Sequence, residues 1–204
     1  MTALKNQKQQ AILQAATQMF LAHGYRAVSM TKIAQAAPVS KATLYNHFDS
    51  KEALLSGVIH SLCDDLLKTM MAPLQDNESL EHNLSQIAAS FVDLIYSENA
   101  IAIYRLVIAE SHDFPELSQL FYRSGPQVAL TQFERYCQQL MQRGLLSSQL
   151  NPETCADVFF SLLKGEAHLQ CLLGIRELPS KEEKQQIVKQ AITFYLQGIN
   201  NVKA

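Results

Sequence analysis

Residues 29–54 read SMTKIAQAAPVSKATLYNHFDSKEAL, and this stretch decides how the rest of the chain is interpreted. Its first part predicts a short helix over 31–36. Pro38 then ends that helix, because proline has no backbone N–H and restricts the residue before it. Ser40 stands where a second short helix, 41–48, needs an N-cap, since its hydroxyl can accept a free N–H of the first turn. Two short helices joined by a tight turn predict a helix-turn-helix, whose second helix enters the major groove of DNA.

The apolar residues of this stretch fall on one side of each short helix. Ile33 and Ala34 share a face of the first helix, and Leu44 and Phe48 are spaced four residues apart on the second. Tyr45 points away from that core face, and an exposed aromatic among polar neighbours has nothing to pack against in an isolated domain. The outer face therefore predicts a binding surface rather than a buried one.

The residues T-K-I-A-Q-A-A-x-V-S-K-A-T-L-Y-N-H-F-D-S-K-E-A-L-L resemble the DNA-binding signature of the TetR/AcrR family of bacterial transcription regulators. Two later segments, L-F-Y-R-S-G-P and L-L-K-G-E-A-H-L, look like the AefR-type branch. The resemblance implies an all-α protein of about nine helices. A three-helix head with a helix-turn-helix (1–50) would bind DNA, and a larger helical domain (51–204) would bind an effector and dimerise.

Composition agrees with one large or two small helical domains. The chain has 204 residues, 48% of them hydrophobic, with only seven Gly and six Pro. The net charge of −2 is unevenly distributed. Residues 1–60 carry six Lys and Arg against two Asp and Glu, and the remainder carries eleven against seventeen. A basic N-terminal part on an acidic body is compatible with DNA binding, because phosphate neutralisation is local.

Other classes of protein are disfavoured. No apolar run approaches the roughly 18 residues of a membrane span, and the N-terminus has no apolar segment typical of a secretory signal. The four cysteines are scattered without CxxC spacing, so the expected location is cytoplasmic. His60 and Cys63 share a helix face but are too few for a metal site. We predict no catalytic residue, metal or cofactor.

Helical periodicity and capping residues divide the rest of the chain. Gly24 is expected to end the first long helix in a left-handed conformation, and Pro73 is expected to end the fourth. The predicted helices cover 8–23, 31–36, 41–48, 52–71, 79–96, 99–112, 115–143 (interrupted near 125), 153–173 and 180–200. The predicted core of the head consists of Phe20, Val28, Ile33, Leu44 and Phe48.

The resemblance assigns DNA contacts to Thr31, Ser40, Lys41, Ala42, Thr43, Tyr45, Asn46, His47 and Lys51. Asn46 is the candidate for base readout, because its amide can pair with adenine through two hydrogen bonds. Lys41 stands at a helix start, where a positive charge is unfavourable unless a phosphate lies nearby. Lys51 is expected to reach phosphate. Thr31 would bind phosphate, cap its own helix, or do both.

Pro38 departs from the family pattern, which usually has Gly in the tight turn. Glycine can adopt a positive φ there, whereas the proline ring fixes φ near −65°. We therefore expect that the turn is rebuilt by a residue or two, or that another residue takes the strained conformation.

Dimerisation and effector binding are assigned to the body. As in the family, the last two helices are expected to form a four-helix bundle with those of a second copy. The predicted interface residues are Phe159, Leu162, Leu163, Glu166, Ile187, Ala191, Phe194 and Tyr195, together with Val158. A pocket for a small hydrophobic effector would be lined by Phe91, Tyr104, Glu110, Phe121, Tyr122, Phe133, Tyr136 and His168. The alternative for both sets is that they form the core of one subunit.

Two other functions remain open on the residues alone. A helical protein-interaction module would leave the basic and aromatic side chains of the second short helix unexplained. A redox sensor would need an exposed cysteine of low pKa, whereas cysteines in apolar helices are usually inert core. The family resemblance implies a dimeric DNA-binding regulator, a repressor that a small hydrophobic effector releases from a near-palindromic operator, and this is the predicted function. The alternative is a helical protein-interaction or redox-sensing protein without a small-molecule effector.

Overall fold

The computed structural model describes residues 2–71 and 79–201, and every regular element in these ranges is an α-helix. The helices are α1 Thr2–Ala27, α2 Met30–Ala36, α3 Lys41–Tyr45, α4 Lys51–Met71, α5 Leu80–Ile95, α6 Glu98–Glu110, α7 Pro115–Ser124, α8 Pro126–Gln142, α9 Pro152–Leu173 and α10 Lys181–Asn201. The predicted all-α class is confirmed. Pro73, expected to end the fourth helix, lies outside the described residues.

The described residues form ten helices, and about nine were predicted. The predicted interruption of 115–143 near residue 125 is confirmed, and it separates α7 from α8. The N–H of Gly125 closes α7 on the carbonyl of Phe121, at 3.1 Å. Pro126 has no N–H with which to continue that pattern, and its fixed φ suits the first position of a new helix. Helix α8 therefore begins at Pro126.

Gly24 interrupts α1 where it was expected to end the first helix, with a positive φ but with a ψ outside the left-handed helical conformation that was predicted. Its φ of 76° and ψ of 158° are not helical, and residues 25–27 form a separate final turn. Only glycine adopts this conformation readily, because it lacks the Cβ that would clash.

By its internal contacts the chain divides into two compact units. One comprises residues 1–62 and 102–125, and the other comprises 63–101 and 126–204. Helices α4 and α6 each begin in one unit and end in the other. The predicted functional division into 1–50 and 51–204 is a different one, and it stays a prediction.

The first unit contains the helix-turn-helix, and its core is the one predicted. Phe20, Val28, Ile33, Leu44 and Phe48 are all at least 93% buried. Burying each of these side chains contributes about 1.5–3 kcal/mol to folding, so they fix how α2 and α3 sit on α1 and α4. The outer face of α3 is then free for other uses.

The second unit is a helical bundle in which α5, α8, α9 and α10 pack on one another. Its centre is aromatic. Phe133 stacks on Phe159 at a ring distance of 4.2 Å, and Phe160 lies 4.5 Å from Phe91. Tyr195 packs edge-on against Phe159 at 5.1 Å. These contacts hold the last two helices against the rest of the unit.

Candidate DNA interface

Helix α2 is short because both of its ends are capped. The hydroxyl of Ser29 accepts the N–H of Lys32 at 3.3 Å, and the N–H of Ala37 bonds to the carbonyl of Ile33 at 2.9 Å. The helix begins at Met30 rather than at residue 31. The expectation that Thr31 caps its own helix is therefore wrong, because the serine at position 29 fills that role. Thr31 lies half-buried in the first turn.

The turn between α2 and α3 keeps the geometry of a helix C-terminus that normally uses glycine. The N–H of Val39 bonds to the carbonyl of Ala34 at 3.1 Å, which is the outer hydrogen bond of a Schellman motif. Pro38, the residue directly before Val39, has a φ of +22°. It cannot donate the inner hydrogen bond of that motif, because it has no N–H. We expected a rebuilt turn or strain at another residue, and instead Pro38 itself carries the strain.

Helix α3 begins at the predicted cap and ends earlier than predicted. The hydroxyl of Ser40 accepts the N–H of Thr43 at 3.0 Å and lies 2.8 Å from the Thr43 hydroxyl. The helix stops at Tyr45, and Asn46 is its C-cap. Residues 46–48 continue as a turn, closed by the N–H of Phe48 on the carbonyl of Leu44 at 2.9 Å. Leu44 and Phe48 thus still anchor the segment.

The predicted DNA-contact residues of α3 form one outward face. Lys41, Ala42, Tyr45 and Asn46 are exposed, and 48% of Tyr45 is open to solvent. Within the described residues, no hydrogen bond or ion pair engages the side chains of Lys41, Tyr45 or Asn46. Thr43 and His47 are half-buried beside them. This face offers an ammonium, a phenol and an amide to a ligand outside the chain.

Lys51 contacts residues at the end of α1 rather than the exposed face of α3. Its ammonium donates to the carbonyls of Tyr25 and Val28 at 3.0 and 3.1 Å, and it stands 4.2 Å from the centre of the Tyr25 ring. Burial lowers the pKa of the Lys51 ammonium, and the carboxylates of Glu52 and Glu110 oppose that shift. Nothing in the sequence indicated these internal partners, and the phosphate contact of Lys51 stays a prediction.

The residues predicted to line an effector pocket belong to both compact units. In the first unit, the rings of Tyr104 and Phe121 pack edge-on at 4.8 Å, and Tyr122 is half-exposed. Glu110 faces the break in α1, since a Cβ built on Gly24 would stand 3.4 Å from its carboxylate.

In the second unit, the predicted pocket residues are part of the core. Phe91, Phe133 and Tyr136 are at least 94% buried, and the Tyr136 hydroxyl is enclosed without a hydrogen-bond partner among the described residues. Burial raises the pKa of Tyr136 to about 12. His168 lies edge-on to Tyr96 at 5.6 Å. Burial and the nearby Lys164 charge lower the pKa of His168 to about 4, against a hydrogen bond with the Ile95 backbone that raises it.

Two grooves of the second unit are not lined by the predicted pocket residues. A groove of about 450 Å³ runs between α9 and α10 and is lined by Val158, Leu162 and Phe194 among others. Another, of about 530 Å³, lies between α5 and α10, where Lys184 pairs with Asp93 at 3.1 Å. None of the predicted pocket residues lines either groove.

The predicted dimer residues separate into an inner and an outer group. Phe159, Leu163, Ala191 and Tyr195 are buried within the unit and belong to its core. Ile187 is half-buried, and Glu166 is exposed. The outer apolar group comprises Val158, Leu162 and Phe194, with 43%, 37% and 64% of each side chain exposed. The interface role of the inner group stays a prediction, because helical periodicity alone does not say which apolar face a second helix pair covers.

Sequence reasoning missed three further exposed apolar side chains beyond Gly165. Leu169, Leu173 and Ile175 are 56%, 65% and 72% exposed. Leu169 and Leu173 are four residues apart on the part of α9 that follows Gly165, whose φ of 53° and ψ of −165° interrupt the helix. Ile175 follows the C-cap Gly174. The four-residue spacing could have identified Leu169 and Leu173 as sharing a helix face, whereas no helical spacing applies to Ile175.

The cysteines are buried, all four of them, as free thiols. Burial raises the pKa of Cys63 to about 11 and that of Cys137 to about 12, and it also raises the pKa of Cys155. A thiol with a raised pKa is a poor nucleophile toward oxidants.

In the part of the chain that the structure describes, no helix is both long and apolar enough to cross a membrane.

Comparison with known families identifies the chain. Residues 12–58 match the family of bacterial regulatory proteins named after TetR, and residues 82–198 match the C-terminal domain of AefR-like transcriptional repressors. The chain belongs to the TetR family of transcriptional regulators. The N-terminal match includes α2, the turn and α3, so the TetR-family signature coincides with the exposed face described above.

Two solved structures are similar to this chain along almost its whole length, and the match to a third relative spans less than two thirds of that protein. A putative TetR-family regulator from Mesorhizobium loti is 27% identical with a TM-score of 0.77, covering 95% of this chain and 96% of that one. The flavonoid-responsive regulator FrrA is 32% identical with a TM-score of 0.71, covering 95% and 97%. The transcriptional activator FasR from Mycolicibacterium smegmatis is 26% identical over 166 residues, which span 81% of this chain and 63% of that protein.

Proposed function

We propose that this TetR-family chain is a homodimeric cytoplasmic repressor that a small hydrophobic effector releases from a near-palindromic operator. The observation that carries the DNA-binding part is the outward face of α3. Lys41, Tyr45 and Asn46 are exposed there, while Leu44 on the opposite side is completely buried. A helix held rigidly from behind, with polar side chains in front, suits insertion into a major groove.

Each side chain of this face suits a different part of the duplex. The Asn46 amide can donate to N7 of adenine and accept from its N6 amino group at the same time, so it would read sequence. The Lys41 ammonium would neutralise a phosphate and fix the register without reading a base. Tyr45 and Thr43 would contact the groove and the backbone, and half-buried His47 would contact the backbone beside them.

A second copy is the proposed partner of the outer apolar stripe on α9 and α10. Val158, Leu162 and Phe194 line a groove of about 450 Å³. Leaving these large apolar groups in water forfeits about 25 cal/mol for each Å² that burial would remove. A two-fold contact between equivalent faces would bury both stripes and hold two α3 helices about 34 Å apart, one turn of DNA.

A small hydrophobic effector is proposed because the second unit has an aromatic centre with few polar groups. The enclosed hydroxyl of Tyr136 offers a hydrogen bond that the described residues do not use. The similar protein FrrA is named as flavonoid-responsive, which makes flavonoids a reasonable first panel of compounds. Repression rather than activation is proposed from the AefR-like repressor match.

Selection from a pool of random-sequence duplexes tests the proposal, because it does not require the operator sequence to be chosen in advance. We expect the wild-type dimer to enrich a near-palindromic sequence and to retard it in a gel at low salt. Failure to enrich any sequence at low salt would exclude a DNA-binding function and favour a protein-interaction module. Thermal-shift screening of the compound panel, followed by release of the selected duplex, tests the effector.

A further inference from the structure

Two lysines close the C-terminal end of α1. Lys51 donates to the carbonyls of Tyr25 and Val28, and Lys32 donates to the carbonyl of Ala27 at 3.1 Å. The last carbonyls of a helix have no N–H four residues further on within that helix. A lysine ammonium satisfies them well, because its charge also suits the negative end of the helix dipole.

The break at Gly24 explains why these carbonyls need partners from outside. Because Gly24 is not helical, residues 25–27 form a single turn that is cut off from the rest of α1. An isolated turn has almost no hydrogen-bonded interior, so its stability depends on other contacts. Lys51 comes from α4, 26 residues further along the chain, and therefore ties this turn to the helix that follows α3.

Lys51 and its neighbour hold Tyr25 from two directions. The Lys51 ammonium lies 4.2 Å from the centre of the Tyr25 ring, a cation–π distance. The Tyr25 hydroxyl donates to the Glu52 carboxylate at 3.1 Å. Burial and the Glu52 carboxylate both raise the pKa of Tyr25, which keeps its hydroxyl protonated as a donor. The first two residues of α4 thus bind both the backbone and the side chain of Tyr25.

We propose that Lys51 is a positioning residue, which fixes the recognition helix by fastening the start of α4 to the last turn of α1 and to Val28, which follows it. This inference rests on the proposed DNA-binding function and corrects the role that the family resemblance implies for Lys51. An ammonium has three N–H donors, and two of them are on backbone carbonyls. Moving the Lys51 ammonium to a phosphate would break both of these hydrogen bonds.

The salt dependence of DNA binding separates positioning from phosphate neutralisation. Each neutralised phosphate contributes about 0.9 to the slope of log K against log salt concentration, hence about 1.8 for a dimer with two heads. The test compares wild type, Lys51→Met and Lys41→Met on one duplex selected by the wild-type protein. For Lys51→Met we expect about tenfold weaker binding, as for a lost hydrogen bond to a charged group, with an unchanged slope. For the control Lys41→Met, the slope should become less steep, its magnitude decreasing by about 1.8.

A slope for Lys51→Met that falls as far as that of Lys41→Met would overturn the inference, since it would show that Lys51 neutralises phosphate. So would wild-type affinity for Lys51→Met at every salt concentration. If wild type binds no duplex, the proposed DNA-binding function fails instead, and the two failures are therefore distinguishable.

Nuclear magnetic resonance of the wild-type ammonium groups gives a test that does not depend on how the variant folds. Hydrogen exchange of the Lys51 ammonium should be slow in the free protein, because two carbonyls hold it, whereas the exposed Lys41 ammonium should exchange fast. Adding the selected duplex should shift the Lys41 signal and leave the Lys51 signal in place. A rapidly exchanging Lys51 ammonium, or one that shifts as Lys41 does, would contradict the positioning role.

Discussion

At the scale of single residues, Pro38 shows how a sequence can depart from a family pattern without a change in the fold. The backbone at Pro38 has a positive φ of 22°, and Val39 still makes the outer hydrogen bond of the Schellman motif. The sequence showed that the position was anomalous. It could not show where the strain would lie, because that depends on how firmly Ile33 and Leu44 hold the two helices on either side.

Replacing Pro38 with glycine should stabilise the protein. Strained backbone conformations cost on the order of 1–3 kcal/mol, and glycine would remove that cost. The larger conformational entropy of glycine in the unfolded chain offsets about 0.4–1 kcal/mol of the gain. We expect Pro38→Gly to raise the free energy of unfolding by about 1 kcal/mol, measured by urea denaturation. A lower free energy of unfolding would mean that the turn is relaxed with proline.

His168 predicts a dependence of stability on pH. Its pKa in the folded protein is lowered to about 4, below the ordinary value of 6.5. The unfolded chain therefore binds a proton first as the pH falls, so stability is fully present above pH 6.5 and is lost between 6.5 and about 4. Denaturation between about pH 7 and about pH 5 should show this loss in wild type and a flatter profile in His168→Gln. Parallel profiles would exclude His168 as the cause.

At the scale of secondary-structure elements, the sequence predicted most helix positions well and their roles less well. The bounds of α2, α5, α9 and α10 lie within two residues of the prediction, because Ser29, Ser79 and Asn151 cap three of these helices. The break between α7 and α8 was signalled by Pro126. The sequence did not signal the early end of α3 at Tyr45. Phe48 is buried at the spacing of a helical residue, although its backbone already belongs to the turn that follows the helix.

The packing of α4 on α1 and on the turn after α3 leaves no room for a side chain at Gly57. A Cβ built there would lie 2.6 Å from the Phe48 ring and 3.1 Å from Leu13. Overpacking of this kind costs about 1–3 kcal/mol, which exceeds the gain of about 1 kcal/mol in helix propensity. We expect Gly57→Ala to lower the free energy of unfolding and to weaken DNA binding, because it displaces the anchor of α3.

The control for that substitution is His60→Ala, which lies on the exposed side of the same helix. It should leave the thermal midpoint and the DNA affinity close to those of wild type, since surface substitutions usually change stability by less than about 0.5 kcal/mol. Equal effects of the two substitutions would show that Phe48 moves aside without cost.

At the scale of the whole molecule, the sequence indicated functional roles for individual residues on specific grounds only in the N-terminal part. There, the TetR-family signature names particular residues, and the structure exposes the expected Lys41, Tyr45 and Asn46. In the body, amphipathic stripes predicted helices but not which stripe stays uncovered. Phe159 and Phe194 illustrate this, since both are aromatic and interface candidates, yet one is 1% and the other 64% exposed.

The proposed dimer makes Phe194 its most exposed aromatic contact. Phe194→Glu would place a charge in an apolar interface, where it has no partner, and we expect dissociation to monomers. The control is Gln185→Glu, which adds the same charge on the opposite face of α10. Sedimentation equilibrium should give a monomer for the first variant and a dimer for the second. A dimer for both would move the interface away from the outer stripe.

The central claim is that the exposed face of α3 binds operator DNA. Its most direct test is a fluorescence-anisotropy titration of the selected duplex with wild type, Tyr45→Ala and Asn46→Ala, with dimer formation checked in each case. We expect both variants to remain dimers and to bind more weakly, with Asn46→Ala losing about 1–3 kcal/mol of discrimination at one adenine position. Wild-type affinity and sequence preference in both variants would contradict the claim.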